Sequence, residues 1–220
     1  YKGCFKVEKE RHLSVSFFRQ GVPVVISAPS GTGKTTIVRE LIKNNENLVA
    51  SVSYTTRKKR ANEIDGKDYA FVSSELFVSM VEEKSFLEHA KVFDCFYGTP
   101  KKEVEDSLNK GLNVILEIDW QGAMQIKRER PDCLMLFIIP PSKEELMFRL
   151  RKRATDSDNE NRLRFDEALN DINQYENFDK VFINEDVSST VQAINAFIKN
   201  PSKTGSLNDE VMKIIHSFRS

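Results

Sequence analysis

The fold is decided by the stretch Ser27-Ala-Pro-Ser-Gly-Thr-Gly-Lys-Thr-Thr36. A valine-rich apolar run at 21–27 leads into it and predicts a buried strand. Directly after it, apolar residues recur at helical spacing through 34–43. A glycine-rich turn between a strand and a helix aims successive backbone N–H groups and the helix N-terminus at one point. The sequence therefore predicts a phosphate-binding loop at the end of the first strand of an α/β sheet.

The side chains of this loop also suit phosphate binding. Lys34 adds a full positive charge for the outer phosphates, and the hydroxyl of Thr35 is suited to ligate Mg²⁺. The general pattern is G-x-x-x-x-G-K followed by Ser or Thr, and here Ala28 stands in place of the first glycine. The strand–loop–helix context favours this interpretation over an ordinary glycine-rich turn. We expect the phosphates to contact Ala28, Pro29, Ser30, Gly31, Thr32, Gly33, Lys34, Thr35 and Thr36.

Strands and helices alternate along the rest of the chain. Apolar runs at 113–119, 134–139 and 180–184 predict three more buried strands. Thr99 and Pro100 are expected to cap and begin a helix that ends at Lys110 and Gly111. Ser142 followed by Glu145 fits a capping box. The alternation predicts an α/β fold with a parallel core sheet and helices on both faces.

Two stretches interrupt this alternation and set the expected division of the chain. Residues 51–98 alternate and are rich in Ser, Thr, Tyr and Phe, which favours an antiparallel insert. Residues 149–164 are densely charged around ATDSDNEN, a poor helix interior that favours a mobile lid. We expect a lead segment at 1–20, one domain at 21–199 with an insert at 52–98 and a lid at 143–165, and a tail at 200–220. Apolar residues at helical spacing near the end predict a short docking helix: Val211, Ile214, Ile215 and Phe218.

Charge and cysteine content exclude several classes of function. The 33 basic and 33 acidic side chains balance, which argues against a protein that grips bulk nucleic acid or a membrane surface. The cysteines and histidines are scattered, so neither a disulfide framework nor a zinc site is expected. No apolar run is long enough to span a bilayer, and the first twenty residues lack the apolar centre of a signal peptide. A cytoplasmic protein is expected.

From about residue 22 to about residue 198 the chain resembles the guanylate kinase family, which transfers the γ-phosphoryl group of ATP to GMP. Beyond SAPSGTGKTT, the resemblance is carried by S-x-S-x-T-T-R-x-x-R from Ser51, E-x-x-G-x-x-Y-x-F from Glu63, F-x-E-x-A from Phe86 and YGTP from Tyr97. EIDWQGA, PPSKEEL and FINED follow. The resemblance implies the P-loop nucleoside-monophosphate kinase fold, with a small GMP-binding insert and a helical lid.

The resemblance implies how the insert would recognise GMP. Glu88 would accept hydrogen bonds from N1–H and the 2-amino group of guanine, while Ser53 and Thr99 offer hydroxyls to the base. Adenine lacks that paired donor edge and would leave a buried carboxylate unsatisfied. By the same resemblance the GMP phosphate would be held by Arg57, Arg60, Tyr69 and Tyr97, with Glu63 in the same site. On composition alone, TTRKKR would be a solvated basic run, and the flanking motifs reverse that preference.

Two carboxylates end the second predicted buried strand, where ligand sites gather in open α/β sheets. Glu117 and Asp119 alternate on this strand, so both side chains are expected to point the same way. The resemblance puts Asp119 near the acceptor nucleotide and the water shell of the metal, with Glu117 beside it. A pair that only anchors neighbouring loops is the alternative.

The lid supplies arginines that would neutralise the transferred phosphoryl group. Arg149 and Arg153 are four residues apart and would share a helix face. Alignment to the family, anchored on Tyr175 and on Phe178 with Asp179, selects Arg164 as the next lid arginine. Arg164 would lie on the face of Arg153 if one helix continued between them, and Arg162 is the alternative if ATDSDNEN breaks it.

The implied activity is direct in-line transfer from Mg²⁺-bound ATP to GMP, and to dGMP, with Asn184 and Glu185 on the adenine side. Two other functions are alternatives to this activity. A non-catalytic phosphopeptide-binding module would have lost the phosphate loop, and another P-loop kinase would use a different phosphorylated acceptor. Lys34 and the lid arginines argue against the first, and Glu88 with Ser53 argues against the second. A homo-oligomer is left open.

Overall fold

The computed structural model describes residues 20–92, 94–152, 158–201 and 209–219. The strands are β1 Pro23–Ser27, β2 Leu48–Ala50, β3 Tyr54–Thr55, β4 Ala70–Phe71, β5 Phe86–Val92, β6 Cys95–Pro100, β7 Asn113–Glu117, β8 Leu134–Ile139 and β9 Lys180–Ile183. The helices are α1 Lys34–Lys43, α2 Ser74–Glu82, α3 Lys101–Asn109, α4 Trp120–Glu129, α5 Lys143–Lys152, α6 Asp158–Ile172, α7 Val187–Lys199 and α8 Asp209–Arg219. A short 3-10 turn, Asn173–Asn177, joins α6 to β9.

The core is a five-stranded parallel sheet in the order β2-β7-β1-β8-β9. Strand β1 lies in the centre, and all five of its residues are buried. Its side chains alternate between two apolar layers, with Val24 and Ile26 in one layer and Val25 in the other. Helices α1 and α7 cover the first layer, whereas α3 to α6 and α8 contribute to the second. The predicted parallel sheet with helices on both faces is confirmed.

A second, four-stranded sheet in the order β4-β3-β6-β5 is built from residues between Tyr54 and Pro100. Its β3–β6 and β5–β6 pairs are antiparallel, as the alternating pattern predicts, but β3 and β4 run parallel. Helix α2, which the sequence analysis does not predict, packs Phe77 against the rings of Phe86 and Phe96. The amide of Gln125 on α4 bonds both main-chain groups of His89 on β5 and so ties this sheet to the core.

Several element boundaries differ from the predictions. The strand expected at 21–27 begins at Pro23, and the strand expected at 180–184 ends at Ile183. Thr99 was expected to cap α3, but the cap is Pro100, and the hydroxyl of Thr99 donates to Glu88 instead. The strand expected at 113–119 ends at Glu117, because Asp119 leaves the sheet to cap α4 by accepting the N–H of Gly122 at 2.8 Å. The predicted end of α3 is confirmed, since Lys110 is its cap and Gly111 has φ 82°.

Charged residues around the expected lid form helices where the structure describes them. Helix α5 runs to Lys152, and α6 begins at Asp158, so the described part of 149–164 is helical rather than irregular. Half of the predicted capping box is present: the hydroxyl of Ser142 accepts the N–H of Glu145 at 3.2 Å, whereas the carboxylate of Glu145 bonds Arg149. The two helices pack against each other.

The tail helix predicted from spacing is confirmed as α8. Val211, Ile215 and Phe218 are buried in the same apolar cluster as Tyr175 and Phe178. Arg219 fixes the end of the helix by donating from Nε to the side chain of Asn173 at 3.1 Å. The apolar stripe of the tail is therefore covered by the core of its own chain. No helix among the described residues is long and apolar enough to cross a bilayer.

We expect Ile215→Ala to lower the free energy of unfolding by about 2–4 kcal/mol, since it empties a fully buried site. His216→Ala changes the next, exposed residue of the same helix and is the matched control. Urea unfolding of both variants measures the difference. Equal stability of the two would contradict docking of α8.

Candidate active site

The loop between β1 and α1 forms a cradle of open donors. Gly31 and Gly33 have φ of 86° and 96°, a left-handed conformation that favours glycine. Gly33 is the N-cap of α1, so the cap offers no side-chain acceptor, and no acidic residue lies in the first helical turn. The N–H groups and positive dipole end of α1 are therefore available to an anion.

Packing explains why the loop needs glycine at positions 31 and 33 but accepts alanine at position 28. A Cβ on Gly31 would approach Leu150 of α5 to 2.9 Å, and a Cβ on Gly33 would approach the amide of Asn184 equally closely. Ala28 does not have a positive φ, and it packs against the apolar layer under α1. The departure from the general pattern at Ala28 therefore leaves the cradle intact.

Lys34 lies at the centre of the cradle. Its ammonium donates to the carbonyl of Ile118 at 2.9 Å. Burial lowers the pKa of Lys34, while the nearby carboxylates of Glu117, Asp119 and Asp171 act in the opposite direction. Beside it, the hydroxyl of Thr35 donates to Glu117 at 2.5 Å. The ends of β1 and β7 thus bring one cation, one hydroxyl and several carboxylates to a single edge of the sheet.

Glu88 of β5 is a buried carboxylate in the second sheet. Only 5% of its surface is exposed, and it accepts the hydroxyl of Thr99 at 2.6 Å. Burial, with a contribution from Asp119, raises the pKa of Glu88 to about 7, although the bond from Thr99 acts against this. Its other oxygen lies so close to Gly122 that a Cβ there would approach it to 2.8 Å. Helix α4 therefore needs glycine at this position to admit the carboxylate.

Arg57 is held in one orientation by the second sheet. Its guanidinium makes a two-pronged ion pair with Glu63, at 2.7 and 3.1 Å, and lies over the ring of Tyr69. Tyr97 packs edge-on to Tyr69 and hydrogen-bonds Arg57. Burial raises the pKa of Tyr69 to about 12, so its hydroxyl stays a donor at neutral pH.

The other residues assigned to this sheet lie around that group. Arg60 is exposed, and its main-chain N–H donates to Glu63 at 2.8 Å. Ser53 is half-buried, and its carbonyl accepts the N–H of Ala70 at 2.9 Å. The structure therefore brings Arg57, Glu63, Tyr69 and Tyr97 together and leaves Arg60 at the surface.

Asp119 links the two parts of the site. It caps α4, and its charge contributes both to the pKa of Lys34 in the cradle and to that of Glu88 in the second sheet. Glu117 and Asp119 were expected to face one way as alternate strand residues. That reason is wrong, because the strand ends at Glu117. Both carboxylates nevertheless act on Lys34.

Arg149 of α5 joins the lid to the cradle. Its guanidinium donates to Glu145 at 2.7 Å, to the carbonyl of Thr32 at 3.2 Å and to the carbonyl of Asn184 at 3.0 Å. Asn184 is buried, and its amide also donates to the carbonyl of Thr32, at 2.6 Å. Glu185, next to it, is exposed. Asn184 and Arg149 thus bind the main chain of the loop on one side. The end of β7, which Lys34 contacts, lies on the opposite side.

The remaining lid arginines differ in position. Arg153 lies outside the residues that the structure describes. The expected continuous helix between it and Arg164 is wrong, because α5 and α6 are separate helices that pack against each other. On α6, Arg164 is half-buried and Arg162 is exposed.

Sequence reasoning missed Asp171 and Trp120. Asp171 of α6 lies near the side chain of Trp120 and acts electrostatically on Lys34. Burial raises the pKa of Asp171 to about 6. In the sequence it appears only as one more acidic residue on a charged helix, although Trp120 is part of the EIDWQGA motif.

The described residues contain no group of three or more His, Cys, Asp or Glu side chains placed to hold a metal ion by themselves. A glycine-rich loop, its lysine and a helix N-terminus at the carboxyl edge of a parallel sheet define a P-loop α/β protein that binds nucleotide phosphates.

Comparisons with known proteins give the family. The family model for guanylate kinase matches residues 20–201. The chain is 47% identical to a guanylate kinase of Caldanaerobacter subterraneus subsp. tengcongensis, over 84% of this chain and 89% of that one. It is 44% identical to that of Clostridioides difficile, over 84% and 90%. The crystal structure of guanylate kinase from Anaplasma phagocytophilum superposes with a TM-score of 0.68, at 38% identity, covering 82% of this chain and 86% of that one.

The chain belongs to the guanylate kinase family. It is a nucleoside-monophosphate kinase, and the fold expected from the sequence, with its parallel core sheet flanked by helices, is confirmed.

We expect the stability of the folded chain to depend on pH through Glu88. Its pKa is raised from 4.5 to about 7, so between these values the folded chain binds more protons than the unfolded chain. Stability therefore falls as the pH rises through this range. Glu88→Gln removes the titration, so the variant should gain on the order of 2 kcal/mol relative to the wild type between about pH 4.5 and about pH 8.

Urea unfolding at several pH values across this window measures the effect. Glu82→Gln, an exposed position on α2, is the control. A constant difference between Glu88→Gln and the wild type across the window would refute the titration of Glu88.

Proposed function

We propose that the chain transfers the γ-phosphoryl group of ATP to GMP, with ATP phosphates in the cradle and GMP on the second sheet. The observation that carries the proposal is the position of Asp119, which directly follows Ile118, the partner of Lys34, and lies with Glu88 beside Gly122. The phosphate cradle and the candidate base site therefore belong to one site.

Glu88 is the proposed reader of guanine. Guanine presents two adjacent donors, N1–H and the 2-amino group, and a carboxylate accepts both. The hydroxyl of Thr99 donates to one oxygen of Glu88, and the other oxygen lies against Gly122. Because Glu88 is buried, a base without those donors would leave a desolvated carboxylate unsatisfied, which favours GMP over AMP. Ser53 is proposed to contribute its hydroxyl to the same base.

Arg57 is the proposed primary contact to the GMP phosphate. Glu63 and Tyr69 fix its orientation, so little side-chain entropy remains to be lost when a phosphate binds. The hydroxyls of Tyr69 and Tyr97 lie beside this guanidinium and would add neutral donors. Arg60, which is exposed, would close over the phosphate from the solvent side. Glu63 is thus assigned to this site as a support for Arg57.

Mg²⁺ bound with ATP fits the residues at the cradle. Magnesium in kinase sites takes most of its ligands from phosphate oxygens and water, so a dedicated cluster of protein ligands is not needed. The hydroxyl of Thr35, held by Glu117, is the proposed protein ligand, and Asp119 would lie near the water shell. When bound, the ion neutralises charge on the phosphates.

The lid arginines are proposed to neutralise negative charge on the transferred phosphoryl group, together with Lys34. Lys34 would leave the carbonyl of Ile118 for the outer phosphates of ATP, while Arg153 and Arg164 approach the transferred group from the lid. Arg149 donates hydrogen bonds to Glu145 and to two main-chain carbonyls. Arg149 would hold the lid onto the cradle and keep its own charge close to the phosphates. Asn184 and Glu185 are proposed to lie on the adenine side of ATP. Closure excludes water, so the acceptor is the GMP phosphate.

Lys34→Met should lower kcat by roughly 100- to 1,000-fold, because it removes a positive charge from the transferred phosphates in a site poor in water. The variant should stay folded, since the substitution also removes a half-buried charge. Lys43→Met, at the exposed end of the same helix, is the control. A coupled assay for ADP measures kcat, and full activity of Lys34→Met would eliminate the proposed role.

Glu88→Gln should reduce the preference for GMP over AMP by roughly 100-fold or more, since an amide cannot accept both guanine donors. The measurement is kcat/KM for GMP, dGMP, AMP, CMP and UMP in the same coupled assay. Glu82→Gln again serves as the control. An unchanged ratio of GMP to AMP would remove Glu88 from base recognition, and a wild type that prefers another acceptor would refute the proposed substrate.

A further inference from the structure

Glu88, the proposed reader of guanine, lies on a strand at the edge of the second sheet. The order β4-β3-β6-β5 makes β5 the last strand, and it pairs with β6 on one side. The main-chain groups of β5 that face away from β6 need other hydrogen-bond partners. The position of Glu88 relative to the core therefore depends on what binds this edge.

The side-chain amide of Gln125 on α4 binds this edge of β5. Its Oε1 accepts the N–H of His89 at 3.3 Å, and its Nε2 donates to the carbonyl of His89 at 3.1 Å. A primary amide carries an acceptor and a donor side by side, as the peptide groups of a neighbouring strand would present them. Because both bonds go to one residue, they define where β5 lies along α4 as well as its distance from the helix.

Apolar packing between α4 and β5 defines this position less strictly. Leu87 of β5 belongs to the same apolar cluster as Ala123 and Ile126 of α4, but hydrophobic contacts have little directionality. A cavity of about 280 Å³ also borders the junction, and Leu87, Gln125 and Glu129 are among the residues that line it. Close packing therefore does not fill this space, and the two bonds of Gln125 supply the directional contact.

The position of β5 matters for Glu88, which directly precedes His89. Consecutive Cα atoms are about 3.8 Å apart, so a shift of His89 also moves Glu88. The carboxylate has little room: one oxygen accepts the hydroxyl of Thr99 at 2.6 Å, and the other would lie 2.8 Å from a Cβ on Gly122. Gly122 precedes Gln125 by three residues on α4, so the two positions share one side of the helix. The same helix side thus meets the carboxylate and the main chain of its neighbour.

We propose that Gln125 is a positioning residue for base recognition. By binding both main-chain groups of His89, it holds β5 on α4 at the place where the Glu88 carboxylate meets the two donors of guanine. This inference rests on the proposed function. Gln125 itself touches neither nucleotide in this scheme.

The test compares Gln125→Ala and Gln125→Leu in the ATP:GMP assay. Both variants lose the two bonds, whereas leucine keeps most of the side-chain volume. Each should raise KM for GMP by roughly 10-fold and lower the GMP:AMP ratio of kcat/KM by a similar factor, with KM for ATP within about two-fold. A variant that had only lost folded protein would instead show a lower kcat with both KM values unchanged. Gln192→Ala, at an exposed glutamine of α7, is the control and should match the wild type.

A double variant tests whether Gln125 acts through Glu88. Gln125→Ala combined with Glu88→Gln should have the GMP:AMP ratio of Glu88→Gln alone, because the carboxylate that Gln125 positions is already absent.

A second readout needs no nucleotide. Hydrogen exchange at the main-chain amide of His89, followed by NMR, reports on its bond to Oε1 of Gln125. Exchange should be roughly 10-fold faster in Gln125→Ala and Gln125→Leu and unchanged in Gln192→Ala. If the wild type prefers an acceptor other than GMP, the proposed function and the base-recognition part of this inference fail together. Faster exchange at His89 would then still establish the contact between α4 and β5.

Three results would overturn the inference. A wild-type GMP:AMP ratio in Gln125→Leu would show that packing, rather than hydrogen bonding, places β5. Additive losses in the double variant would show that Gln125 acts independently of Glu88. Unchanged exchange at His89 in Gln125→Ala would show that the amide of Gln125 does not hold this edge.

Discussion

The structure depends on accommodating one half-buried cation, the ammonium of Lys34. A desolvated ammonium is costly unless oxygen acceptors and negative charge surround it. The end of β7 supplies both, through the carbonyl of Ile118 and the carboxylates of Glu117 and Asp119. Because β1 and β7 are adjacent parallel strands, their carboxyl ends meet at this point. The strand order of the core sheet is therefore also the arrangement that makes the cradle possible.

The same edge of the sheet connects the two substrates' proposed sites. Asp119 stops β7, caps α4 and interacts with both Lys34 and Glu88. Gly122, within the first turn of α4, leaves the space that the buried Glu88 requires. A single strand-to-helix turn thus sets the distance between the phosphate cradle and the second sheet. Arg149 and Asn184 hold the other side of the loop by its carbonyl groups, so the cradle is supported from both flanks.

The local sequence predicted the bounds of an element correctly where its residues strongly prefer one secondary structure. The bounds of α1 and β8 were predicted correctly, because apolar period and flanking glycines or prolines define them. Predictions failed where a side chain had two partners available. Thr99 could cap a helix by sequence, but the buried Glu88, eleven residues earlier in the chain, takes its hydroxyl. The short strands β2 and β4 and helix α2 also escaped prediction, since their burial depends on neighbours that are distant in the sequence.

By itself, the sequence determined the fold class, the phosphate loop and the family, because each rests on residues close together in the chain and on their order. Only the tertiary structure decided which partner each charged side chain has. It paired Arg57 with Glu63, turned Arg149 to main-chain carbonyls, and placed Asp171 beside Trp120 and Lys34. The physical reason is that a charge pattern says which groups are present. The partner of each buried charge depends on distance and desolvation, which only the packed structure defines.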